Sequence, residues 1–290
     1  MSSTDSLTEG AWREHRPAVF GAAYRILGSV TEADDVTQDV WLRAVDSDLS
    51  AVRELRAWLV TVAARTSFNV LKSARVRRES YVGPWLPEPL LTGPDASEQV
   101  LVDDSVSTAM LVLMERLAPA ERVAVVLHDI FDFPFGRIAD VLACTPAAAR
   151  KLASRARTRI ASVEDRPRPS RAEAERLLRA FKAAADEGDM ARLVQLLHPD
   201  VVYVGDGGGK VTAARRPVYG GERVGRLVIR AMEIARPDGF RILEINGELA
   251  LATTRSGNLV WLDTVETVEG RIIALRRQVN PEKLAHIGHI

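Results

Sequence analysis

Cysteine is almost missing: Cys144 stands alone in 290 residues, which excludes an internal disulfide and argues against a zinc site. The five histidines are scattered without ligand spacing, so neither a metal nor a cofactor is expected. Long hydrophobic runs are missing too. None approaches the roughly 20 apolar residues that a membrane span needs. The opening MSSTDSLTEGAWREH lacks the charged-then-apolar layout of a secretory signal, and the expectation is a cytoplasmic protein with no membrane partner. Net charge is zero, with 39 basic residues against 39 acidic ones. That balance argues against nucleic-acid binding only if the charge is evenly spread, and it is not.

Proline is absent between Pro17 and Pro84, and residues 11–80 carry helical periodicity punctuated only by Gly21 and Gly28. Then comes YVGPWLPEPLL, Tyr81 to Leu91. Its prolines fix φ and remove donors, so the segment reads as extended, the first part of a linker over 81–99. Yet Trp85, Leu86, Leu90 and Leu91 are costly to leave in water, so something must cover them. Helical periodicity returns over 100–163, and EDRPRPS within 164–171 reads as a second, solvated linker. Residues 172–290 change texture: two helices separated by Gly188-Asp189, then alternating runs such as DVVYV, FRILEIN, ELALATTR and RIIALRRQV around one further helix.

The stretch FPFGRIADVLACTPAAARKLASRARTRI places Phe135, Ile138, Ala139 and Leu142 at helical spacing, and then Ala149, Leu152, Ala153, Ala156 and Ile160. Thr145 suits an N-cap and Pro146 a first helical turn, so two helices meet across a very short turn and cross sharply. That is a helix-turn-helix. The second helix's outer face carries Arg150, Lys151, Ser154, Arg155, Arg157 and Arg159 with no acidic residue. A solvated helix usually mixes signs to gain i,i+4 pairs, and this one forgoes them. Such a face suits phosphates and guanine edges.

Earlier, VTEADDVTQDVWLRAV makes a helix with Thr31 as expected cap and Asp35, Gln38, Asp39 and Leu42 on neighbouring turns, an acidic stripe suited to a basic partner helix. LRAWLVTVAARTSFNVLKSARVRRES follows, setting Trp58 ahead of Arg65, Asn69, Lys72, Arg75, Arg77 and Arg78. Aromatic and basic groups on one helical unit can hold single-stranded bases and backbone.

DDVTQDVWLR, RAWLVTVAARTSFNVLKSARVRR and ARKLASRARTRI, in that order, closely resemble the two DNA-engaging domains of bacterial extracytoplasmic-function sigma factors. The resemblance implies a helical sigma-2 domain over 11–80 and a sigma-4 helix-turn-helix domain over 100–163. It implies that Asp35, Gln38, Asp39 and Trp41 bind the clamp helices of the polymerase β′ subunit. It also implies that Trp58, Arg65, Asn69, Lys72, Arg75, Arg77 and Arg78 melt and read the minus-10 element, with Asn69 where the family often has aspartate. Arg150, Lys151, Ser154, Arg155 and Arg157 fall on the minus-35 reader. Core RNA polymerase and promoter DNA are then the partners.

Residues 172–290 are similar to SnoaL-like members of the nuclear-transport-factor-two superfamily, α+β cones with an interior. Cones of this type house enzymes, and His198, Asp200, Tyr203, Asp206, Asp263 and Arg277 are the residues with catalytic chemistry. No acid-base pair is visible among them, and no catalysis is expected. A narrower resemblance covers nearly the whole chain. Sigma factors of the SigJ-like type carry a WLPEPL-like linker motif, a DGGGK-like loop and a terminal NPxKL. Here these are Trp85, Leu86, Pro87 and Glu88 in the linker, Asp206, Gly207, Gly208, Gly209 and Lys210 in the loop, and Asn280, Pro281 and Lys283 near the end. The resemblance implies regulation in cis by the third domain, with the connector docked on the surface around Asp206 to Lys210 and no separate anti-sigma protein required. The rival reading is a DNA-binding regulator with a cyclase, isomerase or ligand-sensing domain.

Overall fold

The computed structural model describes residues 7–79, 81–93, 107–164 and 169–287, with the backbone alone for 74–79 and 162–164. These residues divide into two compact units, 7–79 with 107–164 and 81–93 with 169–287.

The first unit is all helix. Thr8 caps α1 (Glu9–Leu27), and Gly28 ends it at φ 68°, a left-handed conformation cheap only for glycine, where its N–H returns to the Tyr24 carbonyl at 2.7 Å. The chain restarts at once, so the cap of α2 (Val30–Val45) is Ser29, whose hydroxyl accepts the Glu32 N–H at 3.1 Å. Thr31, the cap expected from sequence, lies inside the helix; the glycine stop brings the start two residues forward. α3 (Leu55–Glu79) completes a three-helix core around Phe20, Tyr24, Ile26, Leu27, Val36, Val40 and Leu59.

The rest of this unit runs α4 (Thr108–Met114), α5 (Pro119–Val125), a π-helical turn Val126–Ile130, α6 (Phe135–Leu142) and α7 (Pro146–Glu164). Ala143 at φ 52° stops α6, Thr145 accepts the Ala148 N–H at 3.2 Å, and Pro146 opens α7. The two helical groups touch through buried polar contacts. Arg122 donates to the Ile26 carbonyl at 2.9 Å and pairs with Glu115 at 2.6 Å.

The second unit is α+β. α8 (Arg171–Glu187) starts from a capping box between Ser170 and Glu173, and α9 (Met190–Leu196) follows. Then come β2 (Leu197–Asp206), β3 (Val218–Tyr219), α10 (Gly221–Ala235), β4 (Gly239–Ile245), β5 (Glu248–Arg255), β6 (Asn258–Val268) and β7 (Arg271–Gln278). The short α11 (Pro281–Leu284) and a 3-10 turn, Ala285–Ile287, complete the described chain. With residues Leu91–Thr92 as β1, the seven-stranded sheet has the order β1-β4-β5-β6-β7-β2-β3, antiparallel throughout except for β2 beside β7. β1 (Leu91–Thr92) comes from the connector. Residues 81–93 are therefore part of this unit, not a free linker: a two-residue strand on the sheet edge needs little pairing, and the prolines precede it. One sheet face is covered by Leu178, Phe181, Leu193, Val224 and Val228 of the helices. The other presents Leu243, Ile245, Ala252 and Leu262 to Leu284 and Ile287.

Candidate polymerase and promoter surfaces and the connector clasp

On α2 the buried stripe is Ala33, Val36, Val40 and Ala44, which leaves Asp35, Gln38, Asp39 and Leu42 exposed together. Leu42 is 61% exposed, a large apolar side chain at the end of an acidic row. Trp41 is half-buried, its ring centroid 5.2 Å from that of Trp12. Of the expected set, Trp41 therefore shapes the edge of the face.

On α3, Trp58, Arg65, Asn69 and Lys72 recur at helical spacing along one side; Trp58 is half-buried and the other three exposed. The Lys72 ammonium sits 3.9 Å from the Phe68 ring centroid. Arg65 donates to the Asp140 carbonyl of α6 at 3.3 Å, so the expected minus-10 face touches the first helix of the helix-turn-helix. The side chains of Arg75, Arg77 and Arg78 lie outside the described residues.

On α7, Ala149, Ala153, Ala156 and Ile160 are buried, and Arg150, Lys151, Ser154 and Arg155 are exposed on the opposite side. Arg150 also lies 5.1 Å from the Phe135 ring. Arg157 departs from expectation: its Nε donates to Asp129 at 2.8 Å, and its Nη2 binds the other carboxylate oxygen. Arg159 likewise pairs with Glu121 at 2.6 Å. The carboxylates missing from α7 itself are supplied by α5 and the π-helical turn, so these two arginines, though exposed, are charge-paired within the first unit.

The connector is clasped. Leu86, Pro87, Pro89 and Leu90 are buried, Trp85 and Glu88 half-buried. Burying two leucines contributes about 3 to 6 kcal/mol. At the centre is Asp206, fully buried. Its carboxylate accepts from the Tyr81 hydroxyl at 2.6 Å, the Leu86 N–H at 2.8 Å, the Gly208 N–H at 3.0 Å and the Gln278 amide at 3.4 Å. The Lys283 ammonium completes the set at 2.7 Å, and also donates to the Leu86 carbonyl at 2.6 Å. That ammonium lies 4.0 Å from the Trp85 ring centroid and 4.9 Å from that of Tyr81. Burial, and after it the Asp206 carboxylate, push the Tyr81 phenol far above its ordinary value, so it stays a donor.

The terminal motif serves the same centre. Asn280 caps α11 through the Glu282 N–H at 3.1 Å while its amide donates to the Tyr81 hydroxyl at 3.0 Å, and Pro281 opens the helix that carries Lys283 inward. Gly208, at φ 56°, has no room for a side chain: a Cβ would collide with the Asn280 amide and come 2.8 Å from the Tyr81 hydroxyl. A Cβ on Gly207 would meet the Val211 carbonyl at 2.5 Å, and one on Gly209 the Val82 side chain at 3.1 Å. Lys210 is the exception in its motif, pairing with Glu282 at 2.9 Å. The connector's receptor is thus Asp206 with the terminal motif, extended by His286 to the Pro89 carbonyl at 2.6 Å and by the β4 edge. Sequence reasoning missed Tyr81, Gln278 and His286. The polar chemistry of Tyr81 beside WLPEPL was the available signal.

Of the residues with catalytic chemistry, Tyr203, Asp263 and Arg277 come together, the Arg277 guanidinium 6.0 Å from the Tyr203 ring centroid, while His198, Asp200 and Asp206 lie apart from them. Asp263 and Arg277 form a bidentate pair at 2.7 and 2.8 Å, both buried, which commits both carboxylate oxygens. Asp206 is held in the clasp, on the opposite sheet face from Tyr203. His198 and Asp200 stand 3.9 Å apart near the surface, with Asp200 exposed. Among the described residues no group of three His, Cys, Asp or Glu can hold a metal, and no helix is long and apolar enough to cross a membrane.

Comparison with known proteins adds independent findings. Residues 11–77 match the sigma-70 region 2 family model, and residues 107–160 match sigma-70 region 4. The chain is 40% identical to the extracytoplasmic-function sigma factor SigJ of Mycobacterium tuberculosis, over 94% of this chain and 91% of that one. It is 32% identical to a protein described as the probable sigma factor SigI of the same species, over 79% and 78% of the two chains. The crystal structure of M. tuberculosis SigJ superimposes with a TM-score of 0.78, at 33% identity, covering 96% of this chain and 98% of that one. Regions 2 and 4 in order, followed by an α+β domain shared end to end with such a relative, place this chain in the extracytoplasmic-function sigma factors of the SigJ-like type, which direct RNA polymerase to promoters.

Proposed function

We propose that this sigma factor is governed in cis by its third domain through the connector, and that no separate anti-sigma protein is needed. The observation that carries this reading is the Asp206–Lys283 centre, which gathers WLPEPL, the glycine loop and the terminal motif into one buried site. A buried ion pair is a poor way to gain stability and a good way to fix a single arrangement. Docking keeps the connector extended and pre-ordered, so the entropy of ordering it is not charged to promoter binding.

In this reading α2 docks on the β′ clamp helices with Asp35, Gln38 and Asp39 around an apolar Leu42. The exposed row of α3 takes the minus-10 strand, and Arg150, Lys151, Ser154 and Arg155 read the minus-35 duplex. Neither reader is basic enough to act alone, and the polymerase supplies the scaffold that joins two weak contacts. Arg65 must leave the Asp140 carbonyl before its face is available, so engagement of the promoter requires the helices of the first unit to separate. The third domain works without catalysis, because its buried acid is locked to Arg277. The protein acts where the polymerase is, in the cytoplasm.

The test is run-off transcription with purified core polymerase, comparing the full chain with chains ending after Val163 and just before Asn280. Both truncations should change promoter binding and transcript yield. If neither does, the regulatory reading fails.

A further inference from the structure

Beside the clasp lies a cavity of about 430 Å³, lined by Val82 and Gly83 of the connector together with Gly205, Lys210, Val211 and Arg215. Its wall carries two cationic side chains, Arg215 and the Lys210 that pairs with Glu282, and one hydroxyl, from Thr212; the remaining positions are glycine, alanine and valine. The glycines let its wall pack closely, since a Cβ at Gly205, Gly207 or Gly209 would crowd Tyr203, Val211 or Val82.

Gly205 also leads inward. A Cβ there would lie 2.8 Å from the Tyr203 hydroxyl, and burial raises that phenol's pKa, which keeps its proton available for donation. Across the parallel pairing of β2 and β7, Gly205 stands opposite Arg277. Asp263 takes the Nε and Nη2 of Arg277, while Nη1 is buried without a partner. The indole N–H of Trp261, whose ring lies 4.3 Å from that guanidinium, is also unpartnered. So is the hydroxyl of Thr253, the register partner of Trp261. An unmade buried hydrogen bond costs about 1 to 3 kcal/mol, so these three groups hold an unmet polar demand behind the cavity, which none of them lines.

We propose that this cavity binds a small apolar carboxylate, received by Arg215 and by the Tyr203 hydroxyl beside Gly205, with its apolar body against Val82 and Val211. Because Val82 and Gly83 belong to the connector, the occupant touches both partners of the clasp. It binds the docked form more tightly than the undocked one and shifts the population toward docking. The consequence for transcription rests on the cis-regulatory reading above, whereas the binding itself does not.

The experiment is calorimetric titration of the full chain with naphthoate, with naphthylmethanol as the uncharged control, and hydrogen exchange at the Leu86 amide with and without naphthoate. Naphthoate should bind at least about tenfold more tightly than the alcohol, and Arg215→Glu should remove that preference. Thr212→Trp, which fills the cavity from an exposed position, should weaken both compounds. Exchange at Leu86 should slow by up to about a hundredfold at naphthoate concentrations near a hundred times Kd. No binding, equal binding of acid and alcohol, or unchanged exchange at saturation each overturns the proposal. These measurements use no polymerase and the truncation test uses no ligand, so the two readings fail separately.

Discussion

Replacing Lys283 by methionine should undock the connector. The Lys283 side chain is 7% exposed and its partner Asp206 is fully buried, at 2.7 Å. The substitution keeps the volume of the stem but leaves a buried carboxylate without its counter-charge and the Leu86 carbonyl without its donor. Removing one member of such a pair costs about 3 to 5 kcal/mol, close to the 3 to 6 kcal/mol that burial of Leu86 and Leu90 contributes. The docking equilibrium should therefore fall by a factor of about a hundred to several thousand. Hydrogen exchange reads this locally, because the Leu86 amide donates to Asp206 and the Asn246 amide donates to the Leu90 carbonyl at 2.9 Å. Both amides should lose protection while amides of α8 keep theirs. Adding Asp206→Asn to Lys283→Met should recover part of the loss, since the stranded charge is gone. Protection at Leu86 within about threefold of wild type in Lys283→Met would refute the reasoning, because no buried pair of this geometry can be broken so cheaply.

Tyr81 gives a pH signature. Its phenol is held above the ordinary value of 10.0, so its contribution to docking is complete below about pH 10 and is lost as pH rises toward the folded value. Docking, followed by Trp85 fluorescence, should be flat from about pH 7 to about pH 9 and weaken beyond, and Tyr81→Phe should abolish that alkaline loss; ionisation of Tyr81 along with free tyrosine in ultraviolet titration contradicts this. Leu42→Glu, at a side chain 61% exposed, should leave thermal unfolding of the first unit unchanged within about 0.5 kcal/mol yet weaken binding to core polymerase by about tenfold or more, measured by titration of labelled core enzyme. On α7, Arg155→Ala should cost about 1 to 3 kcal/mol of minus-35 affinity in the holoenzyme. Arg157→Ala should cost stability of about 1 kcal/mol or less and little DNA affinity, because that guanidinium is committed to Asp129; equal losses in DNA binding would return Arg157 to the reading face.

Where a feature is local, the sequence shows it. The turn at Thr145 and Pro146, the buried alanines of α7 and the exposed row of α2 all follow from spacing within one or two helices. Contacts between distant elements are not written that way. Nothing near Arg157 announces Asp129, and nothing near Arg159 announces Glu121, so a face that is uniformly basic in sequence has two of its five basic side chains paired in the fold. The cap of α2 was hidden for a different reason: Gly28 stops one helix and leaves Ser29 as the first extended residue of the next. The connector's buried leucines were legible as a need for cover. Their receptor was legible only in part, since Lys283 and Tyr81 meet Asp206 across the whole length of the second unit. The edge strand β1 was hidden because two residues are too few for alternation to register.

The central claim is that connector docking and promoter use are one equilibrium. Its most direct test is run-off transcription from a single promoter with wild type, Trp85→Ala and Lys283→Met, each checked for Leu86 exchange in the same buffer. The account predicts that transcript yield changes in the same direction in both variants and scales with the loss of Leu86 protection. A connector that undocks in both variants while yield stays at the wild-type level would make the clasp a purely structural device and contradict the account.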